Sequence, residues 1–335
     1  MQGLFITSYG HPMRPLELRP LTLGAPGPGE VRIRIGAFAV NPVDAKTRRG
    51  ESKLILPVRP PFIPGVDLAG TVDAVGQDVR GLSVGDRVMS YTGMDRMGAY
   101  ADAIVLPADR VAPSPATVSM EVAASLPLAA LCAWQAIEAT QARPGASLLV
   151  LGGAGTVGKM VVQLAVLRGL EVCVTSSPTD ASLVQSIGAH RLIDYRARTL
   201  PADLRGLDAV IDTVGGKALT QAWPVLRPGG TMVSLHVPPP SADLKEAGLR
   251  AGWLIRTLLP LASRTAYRAA RRAGVTLAPL LTRPNAHQLR EIAPLVDAGI
   301  LRPPAVRIVS STAMLSGADP QTSHTRTRMV VTTTS

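Results

Sequence analysis

The sequence predicts an α/β protein, a β-rich region followed by a doubly wound parallel sheet, and three observations carry that prediction. The first is Ser147-Leu-Leu-Val-Leu-Gly-Gly-Ala-Gly-Thr-Val-Gly158. Its apolar run has the length of a buried parallel strand and breaks into Gly153-x-Gly155-x-x-Gly158. A helical pattern through Val161, Val162, Leu164, Ala165 and Leu167 follows at once. Strand, glycine turn and helix in that order are the context of a dinucleotide fingerprint. The second observation is that strand-like and helix-like stretches alternate from there to about residue 282. The third is that residues 1–120 alternate short β-like runs with Gly/Pro turns, as a compact barrel-like domain does.

Taken in order, Met1-Gln-Gly-Leu-Phe-Ile-Thr reads as a strand. Val31-Arg-Ile-Arg-Ile35 alternates with period two, the mark of a half-buried strand. Leu68–Val75 and Asp86–Ser90 are two more, separated by the turn-rich Gly76–Gly85, and Tyr100–Val105 is another. The character changes near Ser119. Met120 to Thr140 reads as one long helix, capped by Ser119, that Pro127 should bend or split. Strand 147–152 leads to helix 155–168, and strand 170–175 to helix 180–187. Strands at 191–194 and 208–212, a helix near 216–223 and strands at 230–236 and 275–282 complete six strands of a parallel sheet. Residues 241–273 look like an inserted helical piece interrupted by Pro260, a lid or packing element or an interfacial amphipathic helix. An amphipathic helix returns at His287–Leu301, and the tail is strand-like.

Within the fingerprint, Gly153 permits a tight turn and Gly155 lets the backbone approach a pyrophosphate. Gly158 lets the helix pack close to the strand, so that the amides of the helix start, Thr156 and Val157 with them, face the phosphates.

Composition excludes several classes. Hydrophobic residues at 46% and charged residues at 18% describe a globular chain, not a disordered one. Cys132 and Cys173 are the only cysteines, which rules out a disulfide framework and suits a reducing cytoplasm. The N-terminus lacks the regions of a signal peptide. The longest apolar stretch, around Val122 to Ile137, is too short to span a bilayer. A net charge of +11 could suggest nucleic acid or a membrane surface, but seven arginines and no acid lie between Arg250 and Arg283, so one segment holds most of the excess. With aromatics at 3% there are few stacking platforms, and an Arg-rich solvated face is preferred to a polyanion site.

Asn41-Pro-Val-Asp44, Pro64-Gly-Val-Asp-Leu-Ala-Gly70 and Val84-Gly-Asp-Arg-Val88 stand in the β region. With Gly153–Gly158, Asp212-Thr-Val-Gly-Gly216 and Leu295–Pro303, they make a chain that resembles the medium-chain dehydrogenase/reductase superfamily, in its zinc-free quinone oxidoreductase and enone reductase branch. The resemblance runs over nearly the whole chain and is weakest at 241–273 and after Pro304. It implies a GroES-like catalytic domain from residues 1–123 and 284–335, and a Rossmann domain from residues 124–283. It also implies a homodimer acting on a small molecule.

Zinc can be judged from the residues. In the zinc alcohol dehydrogenases a cysteine ligand occupies the place of Asn41, and Gly-His-Glu that of Gly65-Val66-Asp67. A catalytic site needs about three Cys, His or carboxylate ligands, and two cysteines exclude a four-cysteine lobe. His11, His190, His236, His287 and His324 show no ligand spacing, so no metal is expected. Without a Lewis acid, reducing a conjugated carbonyl or quinone remains feasible, and the charge developing on its oxygen needs a donor or cation. Lys46 is the candidate, as a stabilising cation and proton donor, the resemblance placing a lysine there in several enone reductases; the alternative is a surface lysine beside Arg48 and Arg49 on a basic turn. Asn41 either hydrogen-bonds substrate or nicotinamide ribose or caps the turn before Pro42. Asp44 orients Lys46. Asp67 is read as structural.

The cofactor expected is NADPH. No acid ends the second strand of the nucleotide fold, where Ser176 and Ser177 leave room for a 2′-phosphate. Tyr195 and Arg196 resemble the family's second contact to it. Asp180 stands where the family often has a lysine; it would repel a phosphate or serve the first turn of the next helix. The resemblance also places Cys132 near the nicotinamide, a small buried thiol being the alternative. It places Val214 in the Asp212–Gly216 motif, the backbone of Leu235 and His236 on the nicotinamide side, and Arg326 or Arg328 at the cofactor phosphates.

The expected function is therefore zinc-independent, NADPH-dependent reduction of quinones or α,β-unsaturated carbonyls by hydride transfer. A biosynthetic enoyl reductase for a bulky or carrier-bound intermediate is one alternative, and a non-catalytic NADPH-binding interaction protein the other. No stable membrane insertion is expected.

Overall fold

The computed structural model describes residues 1–10, 16–197, 200–250, 252–315 and 327–333 of the chain. They fall into two units. One holds Met1–Leu131, Ala247–Arg250 and Arg283–Ser335, and the other Cys132–Glu246 and Ala251–Thr282.

The first unit turns the period-two alternation into sheet. β1 (Gln2–Phe5) and β2 (Glu17–Pro20) form an antiparallel pair. β3 (Glu30–Ala39) buries Val31, Ile33 and Ile35 and leaves Arg34 exposed, as the alternation requires. It runs into a short helix, α1 (Pro42–Arg49), where the sequence suggests only a loop and basic turn. β4 (Asp67–Val75), β5 (Arg87–Tyr91), β6 (Ala103–Pro107) and β7 (Val111–Pro113) follow. β3 pairs antiparallel with β4 and β6, and β4 with β5. α2 (Met120–Ala124) starts at Ser119, whose side chain accepts from the Val122 amide.

The break expected at Pro127 is present: a separate helix, α3 (Pro127–Thr140), begins there. The second unit then alternates strand and helix. Its elements are β8 (Ser147–Leu151), α4 (Thr156–Leu167), β9 (Glu171–Ser176), α5 (Ala181–Ser186) and β10 (Arg191–Asp194). β11 (Leu207–Asp212), α6 (Gly216–Ala222), β12 (Leu226–Ser234), α7 (Ser241–Glu246), α8 (Trp253–Ala273) and β13 (Thr276–Pro279) complete it. The six strands are parallel in the order β10-β9-β8-β11-β12-β13, which reverses direction between β8 and β11. Leu149, Leu151, Val210 and Met232 bury themselves in the core of this sheet.

Residues 241–273 are not a helix interrupted at Pro260. α8 runs through that proline without a break. The missing Pro260 amide would have bonded the Arg256 carbonyl four residues back, and both residues are exposed, where water can serve the carbonyl.

The chain returns to the first unit with α9 (Ala286–Asp297), capped by Asn285, which accepts from the Gln288 amide. β14 (Val306–Ser310), α10 (Ser311–Leu315) and β15 (Arg328–Thr332) follow. β15 pairs parallel with β14 and antiparallel with β3, so the two ends of the chain share one seven-stranded sheet.

Candidate active site

In the second unit the end of β8 enters a turn that only glycine can make. Gly152 has φ +82°, and a Cβ there would lie 2.7 Å from Val214 Cγ2. Gly152, not Gly153, is thus the residue of the tight bend. Gly153 serves packing, since a Cβ on it would approach Val174 of β9 to 2.6 Å. At Gly158 a Cβ would meet the Gly152 carbonyl oxygen at 2.1 Å, so only glycine lets α4 start this close to its strand. Gly155 is the N-cap of α4, and a Cβ there would find nothing nearer than 3.3 Å. The amides of Thr156, Val157 and Gly158 open the helix ahead of its first i→i−4 bond, from Lys159 to the Gly155 carbonyl. They have no carbonyl of their own helix to bond, which fits the turn to an anionic pyrophosphate.

Three strand ends converge on this turn. Thr213 donates from both its amide (3.3 Å) and its hydroxyl (2.7 Å) to the Leu151 carbonyl. Asp212, fully buried, accepts from the Val214 and Gly215 amides at 3.0 and 2.8 Å and from the Ser234 hydroxyl at 2.8 Å. Gly215 has φ +76°, and a Cβ would strike the His236 ring, which lies 3.1 Å from the Thr213 carbonyl through Nε2. Leu235 and His236 thus stand just past β12, beside exposed Val214. Their amides are used internally, Leu235 on the Asp212 carbonyl and His236 on the Ser234 hydroxyl. The crevice lies beyond the carboxyl ends of the strands, at the β8/β11 reversal, where such sheets take ligands.

One side of the crevice ends in Ser176 and Ser177. Ser176 is buried, with its hydroxyl 3.4 Å from Asp180 Oδ2, and Ser177 accepts from the Thr179 amide. Asp180 therefore faces Ser176 from the N-cap position of α5. Tyr195 and Arg196 follow β10, and the Tyr195 amide reaches the Ser176 carbonyl at 3.3 Å. Both are exposed, and the Arg196 guanidinium is forked onto Asp194 at 3.0 and 2.9 Å. Cys132 is buried, and burial pushes its thiol up to about 11 against a hydrogen bond from Thr282. It is an inert small side chain in that setting.

In the first unit, Asn41, Asp44 and Arg328 come together with two residues that sequence reasoning had not assembled, Asp67 and Tyr100. Asn41 caps α1, and the Asp44 carboxylate reaches back to its amide at 2.8 Å. The same Asp44 oxygen accepts from Tyr100 Oη at 3.0 Å. Asn41 Nδ2 donates to Asp67 Oδ2 at 3.1 Å, and the Leu128 amide donates to Asp67 Oδ1 at 2.9 Å. Arg328 inserts its guanidinium among them, donating to Asp67, to the Asn41 side-chain oxygen and to the Ser125 carbonyl. Burial raises Asp44 to about 7 and Asp67 to about 6, Arg328 opposing the rise at Asp67. Tyr100 is pushed well above its ordinary value by burial and by Asp44, so it stays a phenol and donates.

This network corrects two expectations. Arg328 is committed to a buried ion pair with Asp67 and is not left for cofactor phosphates. Arg326, the other candidate, lies outside the described residues. Asp44 turns inward to Tyr100 and the Asn41 amide, whereas Lys46 sits exposed on α1, so Asp44 does not orient it. Lys46 stands on a helix, not a turn. The signal was present in Asn41-Pro42-x-Asp44, an N-cap, a proline at the first turn and an acid three residues on.

The donor set at the Asn41/Asp67 place does not fit zinc. It offers an amide, a carboxylate and a fixed guanidinium, with no thiolate or imidazole, and a dication there would face Arg328. Among the described residues no group of three or more His, Cys, Asp or Glu could hold a metal.

Comparison with known proteins gives the same architecture. Residues 27–116 match the alcohol dehydrogenase GroES-like domain, and residues 187–312 match the zinc-binding dehydrogenase family. The chain is 36% identical to an NADPH-dependent alkenal/one oxidoreductase of Arabidopsis thaliana, across 62% of this chain and 55% of that one. The chain thus spans little more than half the length of that relative. It is 31% identical to a chloroplastic quinone oxidoreductase of Triphysaria versicolor, across 68% and 71% of the two chains. The structure of a quinone oxidoreductase from Coxiella burnetii superposes with a TM-score of 0.79 at 27% identity, covering 99% of both chains.

Proposed function

Because the chain belongs to the medium-chain dehydrogenase/reductase superfamily, in its quinone and enone reductase branch, we propose that it reduces α,β-unsaturated carbonyls or quinones with NADPH and without zinc. The observation that supports this reading is the Asp67–Arg328–Asn41 cluster, in which a buried guanidinium meets a carboxylate and an amide and no thiolate or imidazole stands beside them. Without a Lewis acid an alcohol needs a general base for its hydroxyl proton, whereas a conjugated carbonyl needs only a donor or cation at its oxygen. When bound, NADPH supplies a hydride to the conjugated carbon.

In this reading residues 1–123 and 284–335 are the catalytic domain and residues 124–283 the cofactor domain. The α4 amides at Thr156, Val157 and Gly158 hold the pyrophosphate, and Val214, Leu235 and His236 border the nicotinamide side. Ser176, Ser177, Tyr195 and Arg196 hold the 2′-phosphate. Asp180 and Asp194 beside them moderate the preference over NADH. Lys46, exposed on α1, stabilises the developing oxyanion and returns a proton to it. Asn41 and Asp44 hold the start of α1 through its capping box. The working form is a homodimer in a reducing cytoplasm, in keeping with the two free cysteines.

Replacing Lys46 by Ala tests the catalytic part. Turnover of an enone should fall about 10²-fold or more with NADPH affinity unchanged, the range for a lost proton donor. Unchanged turnover would remove Lys46 from the mechanism.

A further inference from the structure

α8 presents one continuous face to solvent, and that face changes character along its length. In its first three turns Trp253, Leu254, Leu258 and Leu261 are 78, 43, 48 and 60% exposed. In the remaining turns the same side carries Arg264, Arg268, Arg271 and Arg272, all exposed. The opposite side, with Ser263 and Ala270, is buried in the second unit, where Tyr267 and Ala273 also pack. Half of an exposed helical face is therefore apolar and half cationic. No acid occurs between Arg250 and Arg283, and the acids of neighbouring α7 are Asp243 and Glu246.

We propose that α8 docks the protein peripherally on an anionic lipid surface. The Trp253–Leu261 end lies in the interface, and the Arg264–Arg272 end lies against headgroup phosphates. Three features select this occupant. An apolar patch of one tryptophan and three leucines gains by leaving water, and tryptophan favours the headgroup boundary. Arginines on the same face pair bidentately with phosphate oxygens, which supplies the charge complementarity. A second copy is disfavoured because a two-fold contact through this face would set arginines either against arginines or against the apolar end, with no acid on the helix to pair them. Nucleic acid leaves the leucines without a partner. Docking is superficial, since no helix among the described residues is long and apolar enough to cross a membrane. The surface also suits an enzyme whose proposed substrates are apolar, but the inference stands on α8 alone.

The test is co-sedimentation of the full chain with phosphatidylcholine vesicles, with and without phosphatidylserine, at low and high salt. Two variants accompany it, Leu258→Gln with Leu261→Gln, and Arg264→Gln with Arg268→Gln. All four positions are exposed, and melting temperature together with NADPH binding checks that each variant folds. Phosphatidylserine should raise the bound fraction by about tenfold or more, and high salt should reverse it. The leucine variant should lose most binding, together with the blue shift of Trp253 emission. The arginine variant should lose the preference for anionic lipid. Failure to bind anionic vesicles, or binding that neither variant weakens, would overturn the proposal. So would a dimer in sedimentation velocity that the leucine variant splits, because a second copy would then cover the face.

Discussion

Asp44 shows how one buried carboxyl ties local structure to pH. Burial raises it from 3.8 to about 7, because the charged form has lost its water and the Asn41 amide, Tyr100 and the Arg328 charge offset only part of that loss. The folded state therefore holds its proton more tightly than the unfolded chain. Stability from this group is fully present below about pH 4 and is lost as pH rises through about 7. Asp44→Asn stays neutral throughout, so its unfolding free energy should gain on the wild type between those pH values, by on the order of a few kcal/mol. A difference that does not change with pH would mean that Asp44 is ionised throughout. The residues of this network were legible singly and not jointly. Asn41 and Asp44 announce a capping box, but nothing in sequence says that Arg328, 261 positions from Asp67, will occupy the same pocket. That pairing arises because β15 joins β3, a long-range event with no local signature.

At the scale of elements, the glycine turn between β8 and α4 gives the sharpest contrast. A Cβ at Gly158 would lie 2.1 Å from a backbone carbonyl that cannot move aside, while at Gly155 it would find 3.3 Å of room. Gly158→Ala should therefore lose both stability and NADPH binding, the former by about 1–3 kcal/mol as for other overpacked sites. Gly155→Ala should keep its melting temperature within a degree or two and still bind NADPH more weakly, since its methyl group projects toward the phosphate position. Equal losses of stability would show that the turn is held by something other than close approach. Here the sequence was readable: strand, turn, helix and parallel order follow from apolar runs and spacing. Two details were not. Positive φ belongs to Gly152, which the three-glycine spacing passes over, and α8 continues through Pro260 because its exposed face tolerates a missing hydrogen bond.

At the scale of the molecule, the chain's two ends build the β unit and its middle builds the parallel sheet, and the proposed chemistry draws on both. The sheet supplies the glycine turn and helix-start amides at Gly152–Gly158, and the β unit holds the Arg328 guanidinium in a buried pair with Asp67. On the proposed function, this combination reduces conjugated carbonyls without a metal. The direct measurement is the initial rate of NADPH oxidation by chelator-treated protein against a panel of quinones and short and long enones, with NADH as the control. Turnover should survive the chelator, run faster with NADPH than with NADH, and require the conjugated double bond. Turnover that disappears with the chelator and returns with zinc, or that occurs on saturated aldehydes and alcohols instead, would contradict it.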